Sequence, residues 1–329
     1  MDIVYKYSGL LPINYFKNPT IKLSVPEHLN DPFEYNTSKN IVMAINKALL
    51  KKDFSVKRAN SISSNSEKSI IRIIAFNGIV SFTETPRNSL MWAHYASHHN
   101  GMCIGYKSNL LSHISADRKT SFNITLNTPT KVNYDNMRFS NDHEFINVVD
   151  ADKDAVIKHL LTKSDEWIYE KEHRCILPYI EATKLMINKK DIDIYMTDFK
   201  GGDRKLISGS DKFRAAPFLS NLEDYGWLEK IDSGNDDVLL YKTIKPENVK
   251  DIGLFDSYFQ LLTNVKSLCF LIDVDTSHIE SVYFGCKVKK DIVKEYYHEI
   301  NSAIKVYHFK VCDERFELIP VRVTNDYFD

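Results

Sequence analysis

Cysteine is sparse in this 329-residue chain, and its five copies, Cys103, Cys175, Cys269, Cys286 and Cys312, stand far apart with no CxxC pair. An odd count at irregular spacing argues against a disulfide framework and against a structural zinc site. Sulfur used this way fits a reducing cytoplasm, with most of the thiols acting as small core residues. Long apolar runs are missing too. None reaches the roughly 20 residues that span a bilayer, and the start, MDIVYKYSGL, lacks the basic-then-apolar layout of a secretory signal. Neither sign of charge dominates: 43 Lys and Arg face 44 Asp and Glu, a formal charge of -1. A broad basic footprint for nucleic acid is therefore absent. These absences predict a cytoplasmic location and no membrane partner.

What is present is the raw material of a packed core. Hydrophobic residues make up 43 % and charged residues 26 %, an ordinary balance for a globular chain long enough to bury a core without staples. Apolar positions near 3.6 spacing predict helices over 41–50, 89–98, 151–163 and 289–303. Strands are expected over 78–83, 102–106, 169–177, 279–284, 304–311 and 316–323, the last two joined as a hairpin. The mixture has no regular βαβ beat. That favours an α+β fold with a mixed, mainly antiparallel sheet and surrounding helices. Ser-, Asn- and Thr-rich stretches at 55–69 and 115–127 read as flexible loops, and 200–212 as a further loop.

Three segments carry polar residues that could do chemistry. In Leu29-Asn30-Asp31-Pro32-Phe33-Glu34, Asp31 can cap a helix, Pro32 suits its first position and Glu34 can reach back to the cap. That structural reading leaves Asn30 unexplained. In Ser89-Leu90-Met91-Trp92-Ala93-His94-Tyr95-Ala96, a short helix is loaded with flat side chains that have polar tips. They suit a pocket that stacks on a heterocycle, while core packing is the plain alternative for Trp92 or Tyr95 taken singly. Gly101 is expected to supply a left-handed turn after this helix. His94 and His98 lie four apart, yet a zincin needs Glu directly after the first His, and Tyr95 stands there. In Tyr169-Glu170-Lys171-Glu172-His173-Arg174, an extended chain puts Glu170, Glu172 and Arg174 on one face. Burying them requires a ligand, a metal or mutual pairing. An exposed salt bridge is the bland alternative.

Taken in order, these pieces resemble the bacterial family catalogued as domain of unknown function 2971. The resemblance runs through Tyr5-Lys6-Tyr7, Asn30-Asp31-Pro32-Phe33-Glu34, Ser81-Phe82-Thr83-Glu84 and Met91-Trp92-Ala93-His94-Tyr95-Ala96. It continues through His99-Asn100-Gly101, Trp167, Tyr169-Glu170, Glu172, Arg174 and Ser281-Val282-Tyr283-Phe284-Gly285. It implies one family unit over 1–329, with 200–249 as an insertion outside the pattern. Within the motifs fall His94 and His99, while His98 falls outside.

The motif order is also similar to that of ADP-ribosyltransferases, which implies an intracellular bacterial enzyme using NAD, with a toxin or antiphage role. By that resemblance Glu172 steadies an oxocarbenium-like transition state and Glu170 helps activate the acceptor, with His94 beside them as a third catalytic candidate. Tyr5, Lys6, Tyr7, Asn30, Asp31, Ser81, Thr83, His99 and Arg174 would shape the nucleotide site, and Trp92 or Tyr95 would stack on the nicotinamide ring. The acceptor would be a protein or a nucleic acid. A second expectation is a hydrolase or nuclease in which Asp31, Glu34, Glu170, Glu172, His94 and His99 gather around a divalent metal. A third is a non-enzymatic ligand-binding module. All three need residues from distant parts of the chain to meet around a common ligand.

Overall fold

The computed structural model describes residues 1–52, 54–115, 121–140, 143–145, 150–192, 215–265 and 267–329. Alternating and continuous apolar stretches pair into a larger sheet of eight strands. Their order is β15 (Leu318–Arg322), β14 (Lys305–Val311), β13 (Ile279–Phe284), β4 (Met102–Lys107), β1 (Ile3–Ser8), β3 (Asn77–Thr83), β8 (Glu172–Pro178) and β5 (Leu126–Lys131). Only β13 and β14 run parallel within it. The fold is therefore α+β with a mixed, mainly antiparallel sheet. A smaller antiparallel sheet has the order β10 (Leu228–Ile231), β11 (Val238–Thr243), β9 (Lys184–Asn188), β12 (Cys269–Asp273) and β2 (Thr20–Leu23). Two short strands, β6 (Asn133–Tyr134) and β7 (Thr162–Lys163), pair beside the larger sheet. No helix among the described residues is long and apolar enough to cross a membrane.

The two faces of the larger sheet are covered differently, because successive side chains of a strand point to opposite sides. Val4, Val80, Phe82, Ile104, Cys175 and Val282 look into the main core. That core also contains the smaller sheet and helices α5 (Ala215–Asp224), α6 (Val249–Leu262) and α7 (Lys290–Glu299). On the opposite face, Ile79 and Ile176 pack under α1 (Lys39–Lys51), α2 (Val56–Phe76) and α4 (Ala151–Leu160). Further along that face, Tyr7, Cys103 and Phe309 pack against α3 (Ser89–Tyr95). The helical cover is thus split into two patches.

Several expectations are corrected. The stretch 55–69 is helix, forming most of α2: Ser55 caps it, and Ala59, Ser63 and Ser66 are buried against the sheet's helical cover. Small serines allow close packing there, so polarity gave a misleading loop signal. Residues 116–120 of the second expected loop lie outside the described residues, and 121–125 form no helix or strand before β5 begins at Leu126. Of the expected insertion, 200–214 lies outside the described residues. The rest supplies α5, β10 and β11, with Leu219, Leu222, Trp227 and Tyr241 built into the main core, which is compatible with an insertion that packs on the fold.

The helix expected over 151–163 ends at Leu160, and Thr162–Lys163 turns into β7. The helix expected over 89–98 ends at Tyr95. The left-handed residues after it are Ser97, His98 and His99, with φ of 48°, 54° and 71°, rather than Gly101. Gly101 is needed for a different reason: a Cβ there would sit 2.2 Å from the Ser8 carbonyl oxygen. The Asp31 segment makes a turn instead of a capped helix, with Asp31 Oδ1 accepting from the Phe33 N–H at 2.9 Å.

Candidate functional site

The site grows from three neighbouring strands. Antiparallel pairing of β3 with β8 sets Thr83 opposite Glu172 and Ser81 opposite Arg174. β1 stays in register with β4 along its length, from Ile3 opposite Lys107 to Ser8 opposite Met102. It meets β3 only at Tyr5 opposite Thr83. Away from that contact β1 and β3 diverge, and a cavity of about 340 Å³ opens where they part. Lys6 reaches across the gap. Its Nζ donates to the Ser81 carbonyl oxygen at 2.9 Å, standing in for a ladder bond that the diverging backbones do not make.

A buried ionic cluster forms one wall. Arg174, only 1 % exposed, grips Glu172 with two bonds, Nε to Oε1 at 2.8 Å and Nη2 to Oε2 at 2.9 Å. Its Nη1 donates to the Leu160 carbonyl at 2.6 Å and lies 2.7 Å from Glu34 Oε2. Lys163 Nζ is 2.6 Å from Glu170 Oε2, 3.4 Å from Glu172 Oε2 and 3.6 Å from Glu34 Oε1. Glu170 takes its other bond from Tyr95, whose hydroxyl donates to Oε1 at 2.5 Å, and Asn30 Nδ2 donates to that hydroxyl at 3.3 Å. Backbone groups lock the cluster further. Thr83 Oγ1 donates to the Glu170 carbonyl at 2.6 Å, and the Glu172 N–H donates to the Tyr134 hydroxyl at 2.7 Å.

Burial and pairing set the protonation states against one another. Burial pushes Glu172 up, but Arg174 and then Lys163 outweigh it and hold the carboxyl well below the usual range. At Glu34 burial outweighs Arg174, and the carboxyl is raised. Burial opposes the charges on Lys163 and Arg174, yet the surrounding carboxylates raise both. Tyr95 keeps its proton firmly, through burial and its bond to Glu170. Lys6 goes the other way: burial draws its ammonium down to about 8, Glu172 opposes that shift, and nearby Lys22 adds to it.

Most of the residues singled out from the motifs meet here. Tyr5, Lys6, Tyr7, Asn30 and Ser81 line the cavity. So do Thr83, Tyr95, Glu170, Glu172 and Arg174. The local geometry differs from expectation. Glu170 ends a 3₁₀ turn, Asp165–Glu170, rather than sitting on the strand, and Lys171, at φ 46° and ψ 49°, folds the chain back before β8 begins.

Four candidates fall elsewhere. Trp92, expected to stack on a ligand, is fully buried, edge-on to Tyr7 and Phe309, with its Nε1 donating to the Pro86 carbonyl at 2.8 Å. His94 is exposed on the outer side of α3, its ring 6.3 Å from that of Tyr169. His99 lies in the left-handed turn, and its carbonyl accepts from the Lys287 N–H at 3.1 Å. Asp31 is buried in its own turn. Neither Asp31 nor the two histidines line the cavity with the glutamates. Among the described residues no three His, Cys, Asp or Glu side chains are grouped to hold a metal ion.

Lys163 was missed among the site residues. Its signal was a charge imbalance, since two glutamates and one arginine on one face leave a negative charge that burial cannot tolerate. Glu34 was weighed only as a helix cap or metal donor. His159, whose Nε2 bonds the Glu34 carbonyl at 2.9 Å, gave no signal at all.

Fold and cavity together define an α+β protein with a cleft between two diverging strands and a wall of paired buried charges. Residues 91–175 match the family described as Protein of unknown function (DUF2971), so the family resemblance carried by the motifs holds over α3, β4 and the first part of β8. No curated protein and no solved structure matches the chain.

Proposed function

We propose that the cavity is the active site of an NAD-using enzyme of the ADP-ribosyltransferase type. One observation carries this reading. Tyr5, Thr83 and Glu172 stand in one cross-strand row on three adjacent strands, at the point where β1 and β3 open a cleft. An aromatic residue, a hydroxyl residue and a carboxylate thus share one face of one pocket.

The donor set suits such a substrate. A cavity of about 340 Å³ lies at the small end of ligand pockets, roughly 300–1,000 Å³, enough for one mononucleotide half of a dinucleotide. Tyr5, Tyr7 and Tyr95 offer rings, and Asn30 and Ser81 offer hydrogen bonds to a ribose or carboxamide. In the proposed reaction the ribose–nicotinamide bond breaks, nicotinamide leaves with the electron pair, and an acceptor forms the new bond at the same carbon. Positive charge grows on the ribose ring as this happens. Glu172 meets that charge already ionised and already oriented by Arg174, so no reorganisation is needed at the moment of reaction. Three carboxylates against two cations, Lys163 and Arg174, leave the wall one negative charge in excess when all are ionised. Glu170, hydrogen-bonded to Tyr95, is the group to accept the acceptor's proton.

Calorimetric titration with NAD tests the reading. The wild-type chain is expected to bind NAD saturably and, with water as the acceptor, to release nicotinamide and ADP-ribose, with release at least a hundredfold slower in Glu172→Gln. That variant leaves Arg174 partly unpaired, so its fold must be verified by circular dichroism. Tyr95→Phe, which keeps the ring and removes only the hydroxyl, serves as the second variant and is expected to slow release at least tenfold. Folded wild-type protein that binds no NAD at millimolar concentration would sink the proposal. Saturable binding without nicotinamide release would make the pocket a ligand-binding module.

A further inference from the structure

All three carboxylates of the cavity wall have cationic partners in Lys163 or Arg174. Two other cations of the same cavity make no salt bridge to these carboxylates, although Glu172 favours the Lys6 charge. Lys6 makes one hydrogen bond, to the neutral Ser81 carbonyl. Lys22 comes from β2 of the smaller sheet, opposite Leu271 of β12, and makes no hydrogen bond or ion pair with a described residue. Both line the cavity, as does Ser24, two residues on from Lys22. Two ammonium groups therefore serve one cleft, and Lys6 is half-buried. Like charges set together in a partly desolvated cleft cost stability unless an anion sits between them.

We infer that Lys6 and Lys22 form a phosphate-binding subsite, which holds the phosphoryl group of a nucleotide at the end of the cleft where the two sheets meet. The inference rests on reading the cavity as a ligand site, not on NAD as the ligand. Lys6 supplies a charge fixed by its bond to β3, and Lys22 supplies a mobile one from the opposite sheet. A phosphate bridging them would tie the two sheets together across the cleft. Its negative charge would also suit Lys6, whose ammonium burial disfavours. The opposite wall pairs its carboxylates with Lys163 and Arg174. Cations without a carboxylate partner therefore stand at one end of the cavity and orient a molecule that is anionic at that end.

The test is competition calorimetry at low salt with inorganic pyrophosphate and ADP as probes. The proteins are the wild type, Lys22→Met, Lys6→Met and a control, Lys242→Met, on the exposed side of β11. The expected result is saturable binding of both probes at one site, with Kd raised about tenfold or more in each cleft variant and unchanged in the control. Lys22 is exposed and holds nothing in place, so Lys22→Met is expected to fold as the wild type does and keeps the test readable should Lys6→Met unfold. Absence of saturable pyrophosphate binding, or equal Kd in wild type and Lys22→Met, would overturn the inference. NAD binding that is lost in Glu172→Gln yet untouched in Lys22→Met would also overturn it, while leaving the NAD reading in place. Lysine-dependent pyrophosphate binding without NAD binding would do the reverse.

Discussion

Arg174 is the residue on which the site turns, and its neighbours show how buried charge dictates local detail. A guanidinium that is 1 % exposed needs partners, and here Glu172 and the Leu160 carbonyl accept its hydrogen bonds while Glu34 adds an ion pair. His159 completes the arrangement from behind by bonding the Glu34 carbonyl. Burial lowers its pKa from the ordinary 6.5 to about 4, so it is neutral in the folded protein at pH 7. The sign of its effect follows directly. Between pH 6.5 and 4 the unfolded chain binds a proton that the folded chain does not, so stability rises with pH across that window and is lost on acidification. The loss is expected to reach up to about 3 kcal/mol. Urea unfolding at pH 7 and at pH 4.5 is expected to show a smaller pH-dependent loss in His159→Gln than in wild type. Parallel losses would mean that His159 titrates normally.

At the scale of elements, the sharpest feature is the reversal at Lys171. A left-handed backbone at a residue with a Cβ costs about 1–2 kcal/mol, and it persists because it places Glu170 against Lys163 while Glu172 starts β8. Lys171→Gly relieves that strain at some entropic cost in the unfolded chain. It is expected to stabilise the protein by about 0.5–1 kcal/mol. Lys171→Val, β-branched in the same conformation, is expected to destabilise it by about 1–2 kcal/mol. Denaturant midpoints of the two variants should move in opposite directions, and a shared direction would contradict the strain argument. This element also shows what local pattern can reveal. The alternation of Glu170, Glu172 and Arg174 pointed to a shared wall, and they do share one, yet Glu170 arrives there from a turn. Periodicity located β13 and the start of α3 at their observed boundaries. It failed on α2, where buried serines resemble a loop, and on the smaller sheet, whose strands are short and come from distant segments.

For the whole molecule, the larger sheet separates two hydrophobic clusters, one shared with the smaller sheet and one under α1, α2 and α4. Ile73 belongs to the second and Ile272 to the first, and each is at most 1 % exposed. Ile73→Val and Ile272→Val are each expected to cost about 0.5–1.5 kcal/mol. Because the two residues belong to separate hydrophobic clusters, the double variant should lose the sum within about 0.5 kcal/mol. Urea unfolding of the two single variants and the double checks this. A larger coupling would mean that packing strain passes between the two clusters, for which the contact of α2 with α6 is the direct route.

The amino-acid sequence by itself determined the class of fold, several of the elements and the residue types available to a site, because these depend on local periodicity and on what burial permits. Tertiary structure alone decided which charges meet. Glu34, Lys163 and Glu170 converge on Arg174 and Glu172 only once β3, β8, β7 and the Asp31 turn are docked. Lys6 and Lys22 come to share a cavity only because the two sheets meet at diverging strands. Pairing energies between buried charges depend on distances of a few ångströms, and those are fixed by long-range strand register, which no local pattern encodes.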